Sequence, residues 1–299
     1  MLPSLAVGNI HLHYDRAGEG APVIFVHGGF ATLARTLPGQ ERAWGDWERA
    51  LAKRFDFITY DRRGCGRSWC PETGFELMNQ ARDLELLLDQ LGVGSVHVIG
   101  SSAGGPISTV FAATCSPRVR SLTLVGTGLE LFPHGDPVSD TIRGQIATLE
   151  RAGPDAAFDG RPTGVEARLE TLWRREEAEA NGWLDVFLEE ERQLSDGARK
   201  VPRDVRVHYY SAELRNISAY MDADVASFAA RVAGPVLVLH GDADATVPLV
   251  SGELLAQAIP SAELRVLSRV GHGALWNSAE APQIVARFIE RVEASAVGF

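Results

Sequence analysis

The stretch that most constrains the fold is Val96-His97-Val98-Ile99-Gly100-Ser101-Ser102-Ala103-Gly104-Gly105-Pro106: an apolar run, a knot of small residues around a serine, then a helix-compatible segment. The pattern G-x-S-x-G, here Gly100, Ser102 and Gly104, places its serine on a sharp strand-to-helix turn with the hydroxyl lifted above the sheet edge. The backbone N–H of Ala103 then lies at a helix N-terminus, where unpaired donors and the positive end of the dipole favour a developing oxyanion. A plain glycine-rich β–α turn carries the same signature, so the surrounding chain decides between the two.

The apolar runs Pro22-Val23-Ile24-Phe25-Val26 and Pro235-Val236-Leu237-Val238-Leu239 have the character of strands buried on both faces of a parallel sheet. Residues 5–15 alternate around Gly8-Asn9 as an opening hairpin, with His11 and His13 on one face and no third metal ligand nearby. Strands are also expected at Phe55 to Tyr60, Val119 to Gly126 and Glu263 to Leu267. Leu77, Ala81, Leu84, Leu88 and Leu91 recur at helical spacing, Asp46 fits an N-cap for a helix carrying Trp47, Ala50 and Leu51, and a closing helix is expected from Pro282 to Glu293. Alternating strands and helices imply an α/β chain with a largely parallel sheet between two helical layers. His97, inside a strand and short of its C-terminal end, reads as a satisfied core histidine.

Two connections stand out. The segment from Phe30 to Gly45 is long for a β–α link and is expected to reach over the serine. Asp61-Arg62-Arg63-Gly64-Cys65-Gly66-Arg67-Ser68 is strongly charged, but its spacing matches neither phosphate-binding glycine pattern, so internal pairing or solvation is expected. From Leu129 to about Val232 the chain shows helical stripes, such as Val165, Leu169, Leu172 and Trp173, or Trp183, Leu184, Phe187 and Leu188, and no convincing strand. We read residues 1–128 and 233–299 as a core and 129–232 as a helical cap above the C-terminal ends of the strands. Glu176, Glu177 and Glu179, and Glu189, Glu190 and Glu191, are read as solvated cap surface, and Tyr209 and Tyr210 as packing or pocket wall rather than catalytic acids.

With 29 Lys and Arg against 39 Asp and Glu, the formal net charge of −10 argues against nucleic acid as a partner. No run approaches the roughly 18 apolar residues that span a bilayer, and the N-terminus lacks the regions of a signal peptide. The three cysteines, Cys65, Cys70 and Cys115, have no metal-ligand spacing and read as thiols. The expectation is a cytoplasmic protein with a small-molecule substrate, no membrane partner and a possible homodimer.

Ser102, Asp244 and His272 follow expected strands in the order nucleophile, acid, base. Imidazole can take the serine proton, a carboxylate can hold its tautomer, and the same imidazole can protonate the leaving group. Asp242 is the rival acid. With His27-Gly28-Gly29-Phe30, the Asp61 to Ser68 segment, Gly100 to Gly105, His240-Gly241-Asp242-Ala243-Asp244 with Val247-Pro248, and Gly271-His272-Gly273, the chain resembles the alpha/beta-hydrolase family over essentially its whole length.

The resemblance implies the alpha/beta-hydrolase fold, a capped serine-nucleophile enzyme of the esterase and lactonase or proline-iminopeptidase kind, and no metal or organic cofactor. It implies a second oxyanion donor from the N–H of Gly29 or Phe30, beside that of Ala103, and prefers Asp244 to Asp242. Cleavage of a carboxylic ester or lactone is the leading expectation. Carbon–carbon bond hydrolysis of a diketone-like acid, amide cleavage, and a receptor that only binds are the alternatives. Phe30 stands where proline iminopeptidases have proline, and Ala103 where they have the elbow tryptophan, which disfavours that branch.

Overall fold

Strict alternation inside the apolar runs explains their burial. In β3 (Pro22–Val26), Val23 and Phe25 enter one hydrophobic cluster while Ile24 and Val26 enter another on the opposite face. A computed structural model describes residues 4–8, 10–30, 45–162, 175, 178, 179 and 182–297. The remaining strands are β1 (Ser4–Val7), β2 (Ile10–Ala17), β4 (Asp56–Tyr60), β5 (Val96–Ser101), β6 (Val119–Val125), β7 (Val236–Gly241) and β8 (Ala262–Leu267). β7 repeats the alternation, with Val236 and Val238 on one face and Leu237 and Leu239 on the other.

The strands form one eight-stranded sheet in the order β1-β2-β4-β3-β5-β6-β7-β8. From β4 to β8 the neighbours are parallel, whereas β2 is antiparallel to both of its partners. Its first half pairs with β1 and its second half with β4. The chain runs outward from β3 to β4 and then crosses back to β5 on the other side of β3. That reversal opens a crevice at the C-terminal ends of β3 and β5, where open α/β sheets place ligands.

Helices α1 (Asp46–Ala52), α2 (Leu77–Gln90) and α3 (Gly104–Thr114) follow β3, β4 and β5. Between β6 and β7 come α4 (Pro137–Asp159), α5 (Leu184–Arg199), α6 (Arg203–Met221) and α7 (Val225–Ala229), with no strand among the described residues. α4 bends where Gly153 takes φ 87° and Pro154 removes a backbone donor. α8 (Leu249–Ala258), α9 (Ala274–Asn277) and α10 (Ala281–Val297) complete the chain. α2 and α3 cover one face of the sheet, and α1 and α10 the other. No helix among the described residues is long and apolar enough to cross a membrane.

Two sequence expectations change here. Asp46 is not the N-cap of α1: Gly45 holds that position, and the Glu48 carboxylate reaches back to accept from the Gly45 N–H at 2.6 Å. Asp46, left in the first turn, pairs with Arg49. Glu191 is buried rather than solvated, because it stands one turn beyond the buried Phe187 on the same helix face. Its neighbour Glu189 is exposed and pairs with Arg192. The connection after Phe30, the stripe from Val165 to Trp173, and Glu176 and Glu177 lie outside the described residues, as does the side chain of Glu190.

The charged loop after β4 is paired internally. Arg63 donates to both oxygens of Asp83 at 2.6 Å, and Arg67 is shared between Asp61 and Asp15. His97 is satisfied in the core by the Ser121 hydroxyl at 2.7 Å and Glu293 at 3.1 Å. Cys65, Cys70 and Cys115 are free thiols. Because the Arg63–Asp83 pair is buried, Asp83→Asn strands a guanidinium away from water and should cost about 3–5 kcal/mol of stability, read as a lowered denaturation midpoint at unchanged slope.

Candidate active site

The turn after β5 is built by close approach. Ser102 sits at φ 49°, a left-handed conformation that among the described non-glycine residues only Arg269 shares. It is held there because its N–H donates to the Val125 carbonyl at 2.9 Å, while its carbonyl accepts from the Gly105 N–H and the Thr127 hydroxyl, each at 2.8 Å. A Cβ on Gly104 would stand 2.0 Å from the Val26 carbonyl oxygen, and one on Gly100 would stand 2.4 Å from the Ser108 hydroxyl. Those glycines let β3, β5 and α3 converge beneath the serine.

The loops after β7 and β8 bring two further groups to it. His272 Nε2 lies 3.0 Å from Ser102 Oγ, and His272 Nδ1 lies 2.9 Å from Asp244 Oδ2. The other Asp244 oxygen accepts from the backbone N–H groups of Thr246 and Val247, at 2.9 and 2.8 Å. These bonds fix the carboxylate while its side chain is fully buried. Asp242 points elsewhere and accepts from the Arg269 N–H at 2.5 Å. The three residues selected from sequence thus stand in one hydrogen-bonded line, and the rival acid stands outside it. Neutral imidazole with its proton on Nδ1 donates to Asp244 and presents Nε2 to the serine as an acceptor.

After β3, the His27 to Phe30 turn runs beside Ser102. His27 Nε2 accepts from the Arg62 N–H at 3.2 Å, so Nδ1 carries the proton that it donates to the Gly28 carbonyl at 2.7 Å. Gly29, Phe30, Ser102 and His272 line a pocket with Leu131, Phe132, Ile142, Glu213 and Ile217, all five contributed by the chain between β6 and β7. Among the described residues no group of three or more His, Cys, Asp or Glu could hold a metal ion.

Several residues at this site left no mark in the sequence. Arg62 read as one charge in a charged loop, yet it is 1% exposed and donates to the Gly29 carbonyl, to Gln80 at 3.1 Å and to the Tyr220 hydroxyl at 3.0 Å. Tyr220 ends α6, and its hydroxyl donates to the Ala103 carbonyl at 2.6 Å. Tyr209 and Tyr210, which the sequence singled out, are absent from the pocket lining; Tyr210 packs on Phe158 and donates to Gln145. Glu213 lies one turn from Ile217 on α6, a spacing that only the fold turns toward the serine.

Comparison with known proteins bears on this geometry. The sequence profile of the alpha/beta hydrolase fold family matches residues 21–279. A 2-hydroxy-6-oxononadienedioate/2-hydroxy-6-oxononatrienedioate hydrolase from Paraburkholderia xenovorans is 28% identical over 91% of this chain and 88% of its own. A putative carbamate hydrolase, RutD, from Pseudomonas savastanoi is 28% identical over 80% of this chain and 85% of its own. Among solved structures, Est816, an N-acyl homoserine lactone degrading enzyme, superposes with a TM-score of 0.66 at 25% identity, covering 96% of this chain and all of that one, 100%.

The close approach at the turn is directly testable. Gly104→Ala drives a methyl group into the Val26 carbonyl and should cost about 1–3 kcal/mol, read as a lower melting temperature, with the serine displaced in a crystal structure of the variant.

Proposed function

The chain belongs to the alpha/beta hydrolase family, and we propose that within it this protein is a serine hydrolase that cleaves a carboxylic ester or lactone of a small organic substrate through an acyl-Ser102 intermediate. The observation that carries the reading is the line from Ser102 Oγ through His272 to Asp244, with contacts of 3.0 and 2.9 Å. As Ser102 Oγ attacks the carbonyl carbon, His272 Nε2 takes its proton and Asp244 stabilises the imidazolium. The carbonyl π electrons move onto oxygen, which the Ala103 N–H and an N–H of the Gly29-Phe30 turn receive. Collapse expels the alcohol oxygen, which takes the proton from His272. Water, deprotonated by the same histidine, then hydrolyses the acyl-enzyme and returns Ser102. Nucleophile, base and oxyanion donors all come from the chain, so the reading calls for no metal or organic cofactor.

Residues 129–232 serve in this reading as a cap that shapes the pocket and keeps water from the intermediate. Supporting it, Leu131, Phe132, Ile142 and Ile217 present an apolar wall to Ser102. The relatives include a putative carbamate hydrolase and an N-acyl homoserine lactone degrading enzyme, whose named substrates carry carbonyl groups open to the same attack. The dienedioate hydrolase supports a second reading, carbon–carbon bond hydrolysis of a keto acid by the same three residues. Against it, the described pocket lining offers a dicarboxylate no Lys or Arg and sets Glu213 in its path.

A fluorophosphonate probe should label the folded protein at Ser102, and Ser102→Ala should abolish both labelling and ester or lactone turnover; labelling that survives the substitution overturns the assignment. Asp244→Asn should lower kcat by about 10³–10⁴-fold, whereas Asp242→Asn should stay within a few-fold of the parent, since only the former carboxylate meets the imidazole.

A further inference from the structure

Two amides beside Ser102, those of Ala103 and Phe30, each share a peptide plane with a carbonyl that is held from the other end. A trans peptide points its C=O and N–H in opposite directions, so a group that grips the oxygen aims the hydrogen. The Ala103 N–H shares a plane with the Ser102 carbonyl, which accepts from Thr127 Oγ1 and the Gly105 N–H, both at 2.8 Å. The Phe30 N–H shares a plane with the Gly29 carbonyl, which accepts from Arg62 Nη2.

Arg62 is an unusual residue to find there. Its guanidinium is buried, and its hydrogen-bond partners are all neutral: the Gly29 carbonyl, Gln80 and Tyr220, with Nε unpartnered. A buried cation ordinarily lies against a carboxylate, because a lone charge away from water costs several kcal/mol, on the order of a large share of a domain's stability. Arg63 and Arg67, in the same loop, follow that rule. Arg62 directs its charge at a backbone oxygen instead. Tyr220 braces it, accepting from Arg62 Nη1 at 3.0 Å and donating to the Ala103 carbonyl at 2.6 Å. Burial pushes the Tyr220 phenol up to about 12, so it remains a donor. Its ring also meets Phe30 edge-on, with centroids 5.1 Å apart.

We propose that Arg62 and Thr127 are positioning residues for oxyanion stabilisation at Ser102, each gripping from behind the peptide whose amide faces the nucleophile, with Tyr220 bracing Arg62. The proposal rests on the serine-hydrolase reading and takes the Gly29-Phe30 turn, whose carbonyl Arg62 holds, as the source of the second donor. A cationic donor on the Gly29 oxygen draws electron density through the amide and strengthens the Phe30 N–H for the charge that develops on the substrate oxygen. Thr127 and Gly105 do the same, more weakly, for Ala103. Neither side chain touches substrate.

The test uses the full chain and two substitutions that preserve shape, Thr127→Val and Tyr220→Phe, together with Arg62→Lys, which keeps the charge, and Arg62→Gln, which removes it. Three quantities are read: kcat and KM on a chromogenic ester, affinity for a trifluoromethyl ketone that forms an oxyanion on Ser102, and affinity for the product acid, which forms none. Thr127→Val and Tyr220→Phe should lower kcat and trifluoromethyl ketone affinity together by about tenfold, less than the loss expected for deleting a donor outright, with KM and product affinity within about twofold. Arg62→Gln should lose about a hundredfold, and Arg62→Lys should recover part of that loss. If the folded Thr127 and Tyr220 variants keep parental kcat, or lose kcat while ketone affinity holds, the proposal is overturned, and these two variants decide it even where Arg62→Gln fails to fold. A parent protein that fluorophosphonate does not label overturns the serine-hydrolase reading itself, which separates that failure from this one.

Discussion

The structure depends on one strained residue. Ser102 occupies a left-handed backbone conformation that costs on the order of 1–3 kcal/mol and persists only where its surroundings over-determine it. Here they do so from three sides: β6 takes its N–H, Gly105 and Thr127 take its carbonyl, and β3 passes so close that no side chain fits at Gly104. The sheet order follows the same requirement. β5 lies between β3 and β6, so the turn that contributes Phe30 is on one side of the serine. The strands that lead to Asp244 and His272 extend away on the other.

Much of this was legible in the sequence, because burial on two faces and sharp turns leave local signatures. The run at Val236 to Leu239 needs both helical layers to cover it, and it could be assigned to a parallel sheet on that ground. Asp244 could be preferred to Asp242 from the family pattern, and His97 dismissed because it sits mid-strand. What stayed hidden was set by contacts between distant segments. Arg62 and Tyr220 are 158 residues apart, and no spacing rule joins a loop residue to the last turn of a remote helix. Glu191 misled for a related reason: three successive acids look solvated until Phe187 shows which face of the helix turns inward. Asp46 lost the cap to Gly45, whose N–H the Glu48 carboxylate reaches back to accept, a contact that a single-residue preference does not register.

The loop after β4 separates two uses of charge within a few residues. Arg63 and Arg67 are neutralised by carboxylates and tie the loop to α2 and to β2. Such pairs contribute little net stability relative to apolar residues but penalise any alternative arrangement that separates them. Arg62, which precedes both in sequence, turns inward to neutral acceptors around the serine. The loop is a clamp, fastened to its neighbours by ion pairs and carrying one guanidinium that meets only neutral acceptors.

The antiparallel β2, which gives half its length to β1 and half to β4, belongs to the first part of the chain, as does the serine turn; the carboxylate and the imidazole come from its last two strands. During synthesis the Ser102 turn can therefore form before His272 has left the ribosome. In the serine-hydrolase reading, the nascent chain carries an inert serine until β7 docks against β6 and β8 against β7. Appearance of activity then reports assembly of the far edge of the sheet rather than formation of the serine turn.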